Sequence, residues 1–230
     1  MTTSPPSGSA GDKLGDPLRP NRVWRTCRFL LRHVFVFWLD YRARGLDRLP
    51  PGGALVLANH ESFLDPLLAP LALHRPVSYL ARHNLFSVPF IGFMLRNTYV
   101  IPINRDSAGA GSFREAVRRI RHGFLVGLFP EGTRSADGQL GEIKPGFIAL
   151  LRHAQSPVVP VGIAGARQVL PRGAKWMRRG RVRVAYGPPI PWAELEPLTH
   201  RGREADLLEL IRQRMLAARD EAGEWRASAD

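Results

Sequence analysis

A histidine and an aspartate five positions apart are the residues of this chain whose types and spacing most readily suggest chemistry. His60 and Asp65 lie in the stretch NHESFLDP, directly after the short apolar run at 54–58. A turn there can fold the Asp65 carboxylate onto the imidazole, which holds one ring nitrogen as a donor and leaves the other free to accept a proton. We therefore predict a general base with its orienting partner. The alternative is that Asp65 only caps a helix and His60 lies on a surface turn.

Other reactive arrangements are excluded by the residues present. A zinc metalloprotease helix needs His-Glu-x-x-His, but Leu64 stands where the second histidine would be. The chain has no Gly-x-Ser-x-Gly sequence, which a serine-hydrolase elbow requires. Cys27 is the only cysteine, so neither an intrachain disulfide nor a multi-cysteine metal site can form.

Two further polar clusters follow apolar runs. In IPINRD at 101–106, Arg105 could hold a phosphate with two parallel hydrogen bonds, or it could form only a surface ion pair with Asp106. The stretch FPEGTRS at 129–135 combines an acceptor, an approachable backbone, a hydroxyl and a cation, a set that suits a small polyol phosphate. Its candidate binding residues are Glu131, Gly132, Thr133 and Arg134. The alternative for that stretch is an ordinary glycine turn.

Short apolar runs alternate with helical patterns along most of the chain. We predict strands at 54–58, 77–81, 98–103, 124–129, 158–163 and 182–187. Helices are predicted at 65–73, 88–96, 112–122, 145–153 and 204–219. This alternation is typical of an α/β fold with a mostly parallel central sheet flanked by helices. Reactive residues then collect where strands end.

The N-terminal part of the chain has a different character. Residues 1–20 are rich in Pro, Gly, Ser and Asp, and we expect a disordered tail. Residues 21–44 are predicted to form an amphipathic helix, with Trp24, Phe35 and Trp38 on one side and arginines on another. This helix could lie at a membrane interface or pack on the body of the protein. No run reaches the ~20 apolar residues of a membrane span. We assign 45–230 to one domain.

The charge balance limits the classes of partner. The 230 residues carry a net charge of +13, and all but three of the 33 basic residues are Arg. Such a chain favours anionic partners, namely nucleic acid, an anionic membrane surface or phosphorylated substrates. No zinc-finger, RNP or helix-turn-helix pattern is present. A nucleic-acid-binding function would therefore account for the net charge but not for the order of the polar clusters. A basic stretch at 167–183 is interleaved with Trp176 and could touch lipid headgroups, contact an acyl carrier, or remain a solvated loop.

Taken in order, the clusters resemble the phospholipid/glycerol acyltransferase family of the 1-acyl-sn-glycerol-3-phosphate acyltransferase (PlsC-like) type. The family's first block, His-x4-Asp, is matched by His60 and Asp65, and its second by IPINRD with Arg105. Its third block, FPEGTRS, is matched without change at 129–135, and its VPV-type strand at 159–161. The similarity covers about 45–190 and implies the family's glycerol-3-phosphate acyltransferase-like α/β sheet.

The resemblance also implies an activity. A fatty acyl group would pass from acyl-CoA or acyl carrier protein to the free hydroxyl of 1-acyl-sn-glycerol 3-phosphate, giving phosphatidic acid. By analogy His60 is the base, Asp65 orients it, and Arg105 with Glu131, Gly132, Thr133 and Arg134 holds the glycerol phosphate. No cofactor or metal is implied. We expect a peripheral enzyme on the cytoplasmic face of a bacterial inner membrane. The alternatives are acylation of glycerol 3-phosphate or another lysolipid and, more distantly, a basic nucleic-acid-binding protein.

Overall fold

A central sheet of seven strands organises the chain, and the computed structural model describes residues 14–103 and 110–228 of it. In chain order the strands are β1 Arg42–Arg44, β2 Ala54–Ala58, β3 Val77–Arg82, β4 Ile101–Ile103, β5 Leu125–Leu128, β6 Val158–Ala164 and β7 Arg183–Tyr186. The helices are α1 Arg22–Leu39, α2 Asp65–Leu71, α3 Pro89–Asn97, α4 Ala110–Arg121, α5 Gly146–Ala154, α6 Ala166–Val169, α7 Trp192–Leu195 and α8 Glu204–Ser228.

The strand order is β1-β7-β6-β2-β5-β3-β4, and all neighbours are parallel except β6 and β7. This confirms the expected α/β fold with a mostly parallel sheet. Strand β2 lies at its centre between β5 and β6, and all of its residues are buried. Because β2, β5 and β6 run in the same direction, their carboxyl ends meet at one edge of the sheet, where the polar clusters begin.

The two faces of the sheet carry separate hydrophobic cores. Side chains alternate along β2, so Val56 faces the core shared with α1 and α2, whereas Leu55 faces the core shared with α4, α5 and α8. Helix α8 packs along β6. The contact is close at Gly162, where any Cβ would overlap the backbone carbonyl of Ala218. Glycine at this position allows the long C-terminal helix to lie directly on the strand.

The N-terminal segment differs in part from its prediction. Helix α1 ends at Leu39 because Asp40 adopts a left-handed conformation with φ 38° and ψ 46°. The next residues, Arg42–Arg44, form the edge strand β1 beside β7, so the helix does not extend over all of 21–44. Most of the proposed tail, residues 1–13, lies outside the described residues. Within the described ranges, no helix combines the length and apolar character needed to cross a membrane.

Candidate active site

The two residues of the His-x4-Asp pattern lie together at the carboxyl end of the central strand. Strand β2 ends at Ala58, a turn carries His60, and α2 begins at Asp65. Nδ1 of His60 and Oδ2 of Asp65 are 2.8 Å apart. The Asp65 side chain is fully buried, whereas 19% of the His60 side chain is exposed. The Nδ1 edge of the imidazole is therefore held from inside the protein while part of the ring remains accessible.

The Asp65 carboxylate is held in place by donors from its own turn. Besides His60, Oδ2 accepts the backbone N–H groups of Glu61 and Ser62, each at 2.7 Å. Burial raises the pKa of Asp65 above its ordinary value, while the hydrogen bonds from His60 and the two N–H groups oppose that rise. Three donors on one oxygen suit the ionised carboxylate. It then fixes the proton of His60 on Nδ1 and leaves Nε2 with a lone pair.

Aromatic packing sets the orientation of the imidazole. The Phe129 ring stacks on His60 with centroids 4.2 Å apart, and Tyr79 stacks on Phe129 at 5.4 Å. Tyr79 comes from β3, and Phe129 follows β5. Gly127 allows this stack, because a Cβ at that position would overlap the Tyr79 ring. The edge of the sheet thus gives His60 a rigid apolar support.

Glu131 of the FPEGTRS stretch holds the backbone of the same turn. Its side chain is buried, and its Oε1 accepts the N–H of His60 at 2.7 Å. Its Oε2 accepts the N–H of Gly141 at 2.8 Å, and the N–H of Ser135 donates to the carbonyl of His60 at 2.7 Å. Burial raises the pKa of Glu131, against the effect of these donors. Both backbone groups of His60 are therefore bonded to the segment that contains Glu131.

The remaining predicted residues occupy different environments. Gly132 has a left-handed φ of 70°, which glycine adopts without strain, and a Cβ there would lie 3.3 Å from Lys144 Nζ. Thr133 is exposed and Arg134 half-buried. Arg105, the remaining predicted phosphate-binding residue, lies outside the described residues. The structure thus brings His60, Asp65 and the segment after β5 together.

A cavity of about 420 Å³ lies beside this turn, on the side of β6 and α8. Glu61 forms part of its wall, together with Gly138, the end of β6 at Ile163 and Ala164, and Arg219 of α8. No group of three or more His, Cys, Asp or Glu side chains placed to hold a metal occurs in residues 14–103 and 110–228.

Comparison with known proteins identifies the family. A family model described as "Acyltransferase" matches residues 40–164, which is more than half of the chain. The chain belongs to the acyltransferase family. The match contains His60, Asp65 and Glu131 and extends to the end of β6, so the turn, its stacking partners and its backbone supports all lie inside the family region of this acyltransferase.

Individual relatives agree with this membership. The acyltransferase is 30% identical over 164 residues to "1-acyl-sn-glycerol-3-phosphate acyltransferase LPAT1, chloroplastic" of Arabidopsis thaliana, covering 69% of this chain and 46% of that protein. It is 25% identical over 195 residues to the 1-acyl-sn-glycerol-3-phosphate acyltransferase of Bacillus subtilis, covering 84% and 95%. The chain therefore spans about half of the plant relative's length and nearly all of the bacterial one's.

The acyltransferase also shares its fold with a solved structure. The crystal structure of the 1-acyl-sn-glycerophosphate (LPA) acyltransferase PlsC from Thermotoga maritima superposes with a TM-score of 0.74, covering 90% of this chain and 81% of that one. The sequence identity is 21%, so this likeness bears on the fold.

Sequence reasoning missed several residues that build the acyltransferase site. Phe129 opens the FPEGTRS stretch and carries no sequence signal of its own, but its ring supports the imidazole. Asn59 and Glu61 flank His60, and their side chains bond to the backbone at the end of β6 and the start of α6. In an extended segment, alternate side chains point to opposite sides, so residues 59 and 61 are expected to point away from residue 60. This alternation is the one sequence signal for the bonds of Asn59 and Glu61.

Proposed function

We propose that this acyltransferase moves a fatty acyl group from acyl-CoA or acyl carrier protein to the free hydroxyl of 1-acyl-sn-glycerol 3-phosphate, producing phosphatidic acid. The observation that carries the proposal is the His60–Asp65 pair, with 2.8 Å between Nδ1 and Oδ2, a buried carboxylate and a partly exposed ring. Relatives that carry the name of this activity support the choice of substrate.

The proposed reaction needs one group that accepts and returns a proton. Nε2 of His60 takes the proton of the acceptor hydroxyl while the hydroxyl oxygen bonds to the thioester carbonyl carbon. The tetrahedral species then breaks its carbon–sulfur bond, and the imidazolium of His60 returns the proton to the departing sulfur. Asp65 stabilises the imidazolium between the two transfers. A thioester is already activated, so the sequence of steps requires no covalent enzyme intermediate.

We assign the phosphate of the acceptor to cations on the solvent side of the turn. Arg134 is half-buried and Lys144 exposed, and both lie on the segment that holds the His60 backbone. The contribution of Arg105 and Thr133 stays a prediction. Glu131 was predicted to touch the substrate, but its two oxygens accept backbone N–H groups, and this geometry favours a positioning role.

A direct assay tests the reaction. Purified protein is given acyl-CoA or acyl carrier protein with 1-acyl-sn-glycerol 3-phosphate, glycerol 3-phosphate or a lysolipid without a terminal phosphate, and products are identified by mass spectrometry. We expect phosphatidic acid as the main product and a loss of at least about 10²-fold in kcat for His60→Ala. His200→Ala, at an exposed histidine, is the matched control. Equal rates for His60→Ala and wild type, or no thioester consumption with any acceptor, would refute the proposal.

Arg134→Ala distinguishes between the acceptors. We expect it to raise KM for the phosphorylated acceptor with a smaller effect on kcat. An unchanged KM would point to an acceptor that this arginine does not bind through phosphate.

We further propose that the protein lies peripherally on the cytoplasmic face of a membrane through a surface of exposed apolar side chains, here called the aromatic surface. It is formed by Phe29, Leu30, Val34, Phe37 and Trp38 of α1, Phe90, Ile91 and Phe93 of α3, Phe63 of the His60 turn, and Trp176. Phe37 is 79% exposed and Trp176 85% exposed. Large apolar patches on a protein surface mark interfaces, and we propose that these side chains form one such patch.

The aromatic surface includes a residue of the active-site turn and has an arginine beside it. Cys27 of α1 meets Met94 of α3 at 3.9 Å between sulfurs, so the two helices lie side by side. Arg179, from the basic stretch at 167–183, lies 5.1 Å from the centroid of the Trp38 ring. Apolar rings bordered by arginines match an anionic leaflet, where each cation contributes about 1 kcal/mol. Phe63, three residues after His60, would bring the turn to that leaflet.

Vesicle co-sedimentation tests the aromatic surface without any assay of catalysis. We expect binding to phosphatidylglycerol-containing vesicles that weakens with salt, and at least tenfold weaker binding for the double variant Phe37→Ser and Phe90→Ser. Leu46→Ser is the control, because Leu46 is an exposed apolar residue of the β1–β2 connection. Equal binding by the double variant would contradict this placement of the membrane, and so would no binding of the wild type to any vesicle.

A further inference from the structure

The residues on either side of His60 tie its turn to the end of β6. The side chain of Asn59 donates to the carbonyl of Ile163 at 2.9 Å and accepts the N–H of the same residue at 2.7 Å. Oε1 of Glu61 accepts the N–H of Ala166 at 2.7 Å and that of Arg167 at 3.3 Å. Residues 59 and 61 therefore reach one side, while the ring of residue 60 packs on Phe129.

Glu61 takes part in two networks at once. Its backbone N–H donates to Asp65 Oδ2 at 2.7 Å, beside the bond from His60 Nδ1 to the same oxygen. Its side chain, which is only 7% exposed, is anchored at the start of α6. A displacement of the Glu61 side chain would therefore move a donor that orients the Asp65 carboxylate.

We propose that Glu61 is a positioning residue for acyl transfer: its carboxylate, held by the N–H groups at the start of α6, fixes the peptide N–H that orients Asp65 and hence His60. This inference rests on the proposed function for its kinetic readout. It also gives β6, which contains the VPV-type block, a role in the site, because the backbone just after β6 binds the Glu61 carboxylate. Nothing in the reaction itself requires Glu61 to touch substrate.

The charge of Glu61 adds an electrostatic effect to this anchoring. Burial, with the nearby charge of Asp65, raises the pKa of Glu61 to about 7. The side chain lines the cavity beside the turn, whose other charged lining residues are Asp137, Arg219, Asp220, Glu224 and Arg226. Among charged side chains, Asp65 raises the pKa of Glu61 and Arg219 lowers it. The ionised form of Glu61 accepts both N–H groups at the start of α6 as an anion, which strengthens the anchoring.

Three variants separate anchoring from charge. Glu61→Gln keeps a carbonyl oxygen that can accept the N–H of Ala166 but carries no charge. Glu61→Ala has neither the acceptor oxygen nor the charge. We expect kcat of Glu61→Ala to fall at least about tenfold, because small misplacements at a reacting centre can cost up to about 10²-fold, with KM within about twofold. Glu61→Gln should retain kcat within about threefold at pH 8. Glu224→Ala removes an exposed acid from the wall of the same cavity and should match wild type.

A pH profile and an NMR signal distinguish positioning from a merely structural role. Any change of kcat that follows the ionisation of Glu61, whose pKa is raised to about 7, should be present in the pH profile of wild type and absent from that of Glu61→Gln. The low-field proton resonance of His60 Nδ1–H should be present in Glu61→Gln and broadened or lost in Glu61→Ala. The resonance is assigned to His60 by its absence from the spectrum of His60→Ala.

The outcomes are separable from those of the proposed function. If wild type transfers acyl groups and folded Glu61→Ala keeps kcat within twofold with its Nδ1–H resonance intact, the positioning role is refuted. If wild type shows no acyl transfer, the proposed function fails, and the NMR comparison alone decides the role of Glu61. Should Glu61→Ala not fold, Glu61→Met, of similar length but without the oxygens, takes its place with the same expected losses.

Discussion

Replacing Asp65 by Asn is the sharpest test of the proposed catalytic pair, because it removes a charge while keeping the shape of the side chain. In wild type, Oδ2 of Asp65 lies 2.8 Å from His60 Nδ1. The carboxylate accepts a hydrogen bond from the neutral ring, but it attracts the imidazolium that forms during the reaction much more strongly. The interaction therefore favours the transition state over the ground state, and its loss should appear in kcat.

The magnitude follows from the geometry. Opposite charges about 4 Å apart at an effective dielectric constant of about 20 attract by about 4 kcal/mol. At about 1.4 kcal/mol for each factor of ten, kcat of Asp65→Asn should fall by about 10³-fold while KM changes little. The Asn carbonyl can still accept the N–H groups of Glu61 and Ser62. The amide nitrogen would occupy the place of Oδ1, a buried atom with no hydrogen-bond partner among the described residues. An unsatisfied amide there costs about 1–3 kcal/mol, which a folded domain can tolerate.

Steady-state kinetics with lysophosphatidic acid and acyl-CoA, together with thermal denaturation, provide the measurement. Asp137→Asn is the matched control, since Asp137 is an exposed acid in the loop after β5. If folded Asp65→Asn keeps more than a tenth of wild-type kcat, an imidazolium stabilised by Asp65 is not part of the rate-limiting step and the mechanism is refuted.

Three further substitutions test the supports of the site. Glu131→Gln retains one carbonyl acceptor but turns an amide N–H₂ toward the other backbone N–H, so kcat should fall about tenfold with KM unchanged. A raised KM with unchanged kcat would instead favour substrate contact. Gly127→Ala would force a Cβ into the Tyr79 ring and should lower the free energy of unfolding by about 1–3 kcal/mol, and an unchanged Tm would contradict this packing. The folded-state pKa of Glu61, about 7, exceeds its ordinary value of 4.5, so the unfolded chain loses this proton first and stability falls as pH rises through that window. Glu61→Gln should therefore gain stability relative to wild type between pH 5 and pH 8 in denaturant titrations, and a constant difference would argue against the raised pKa.

The strands of the interior were predictable because their apolar runs carry the signal of burial on both faces. The edge strand β1 was not, since Arg42–Arg44 has two arginines and is stabilised by pairing with β7, far away in sequence. Arg183 illustrates the same limit. It belongs to the basic stretch at 167–183, for which we considered lipid headgroups, an acyl carrier or solvent as the surroundings. Its side chain is instead fully buried, and its guanidinium lies 2.7 Å from Asp40 Oδ2. A partner 143 positions away cannot be read from local pattern.

The contacts of the active site were also predictable only where the two residues are close in sequence. His60 and Asp65 are close in sequence, so a turn between strand and helix was enough to bring them into one hypothesis. The bond between Glu131 and the backbone of His60 spans 71 positions. Its residue type suggested a substrate ligand, because sequence shows that a carboxylate is present but not which N–H groups will occupy it.

The distribution of charge around the turn connects these findings to the choice of substrate. The acids Asp65, Glu61 and Glu131 are all buried, and their oxygens accept backbone or imidazole N–H groups. Lys144 and Arg134 remain nearer to solvent. If acids of the motifs bound the substrate directly, they would need free oxygens at the surface and would repel a phosphate. With the acids turned inward, the same segments can hold a base firmly and still present cations to an anionic acceptor. The sequence blocks at the strand ends therefore supply two groups of side chains: buried acids that position His60, and cations nearer to solvent that can bind an anionic acceptor.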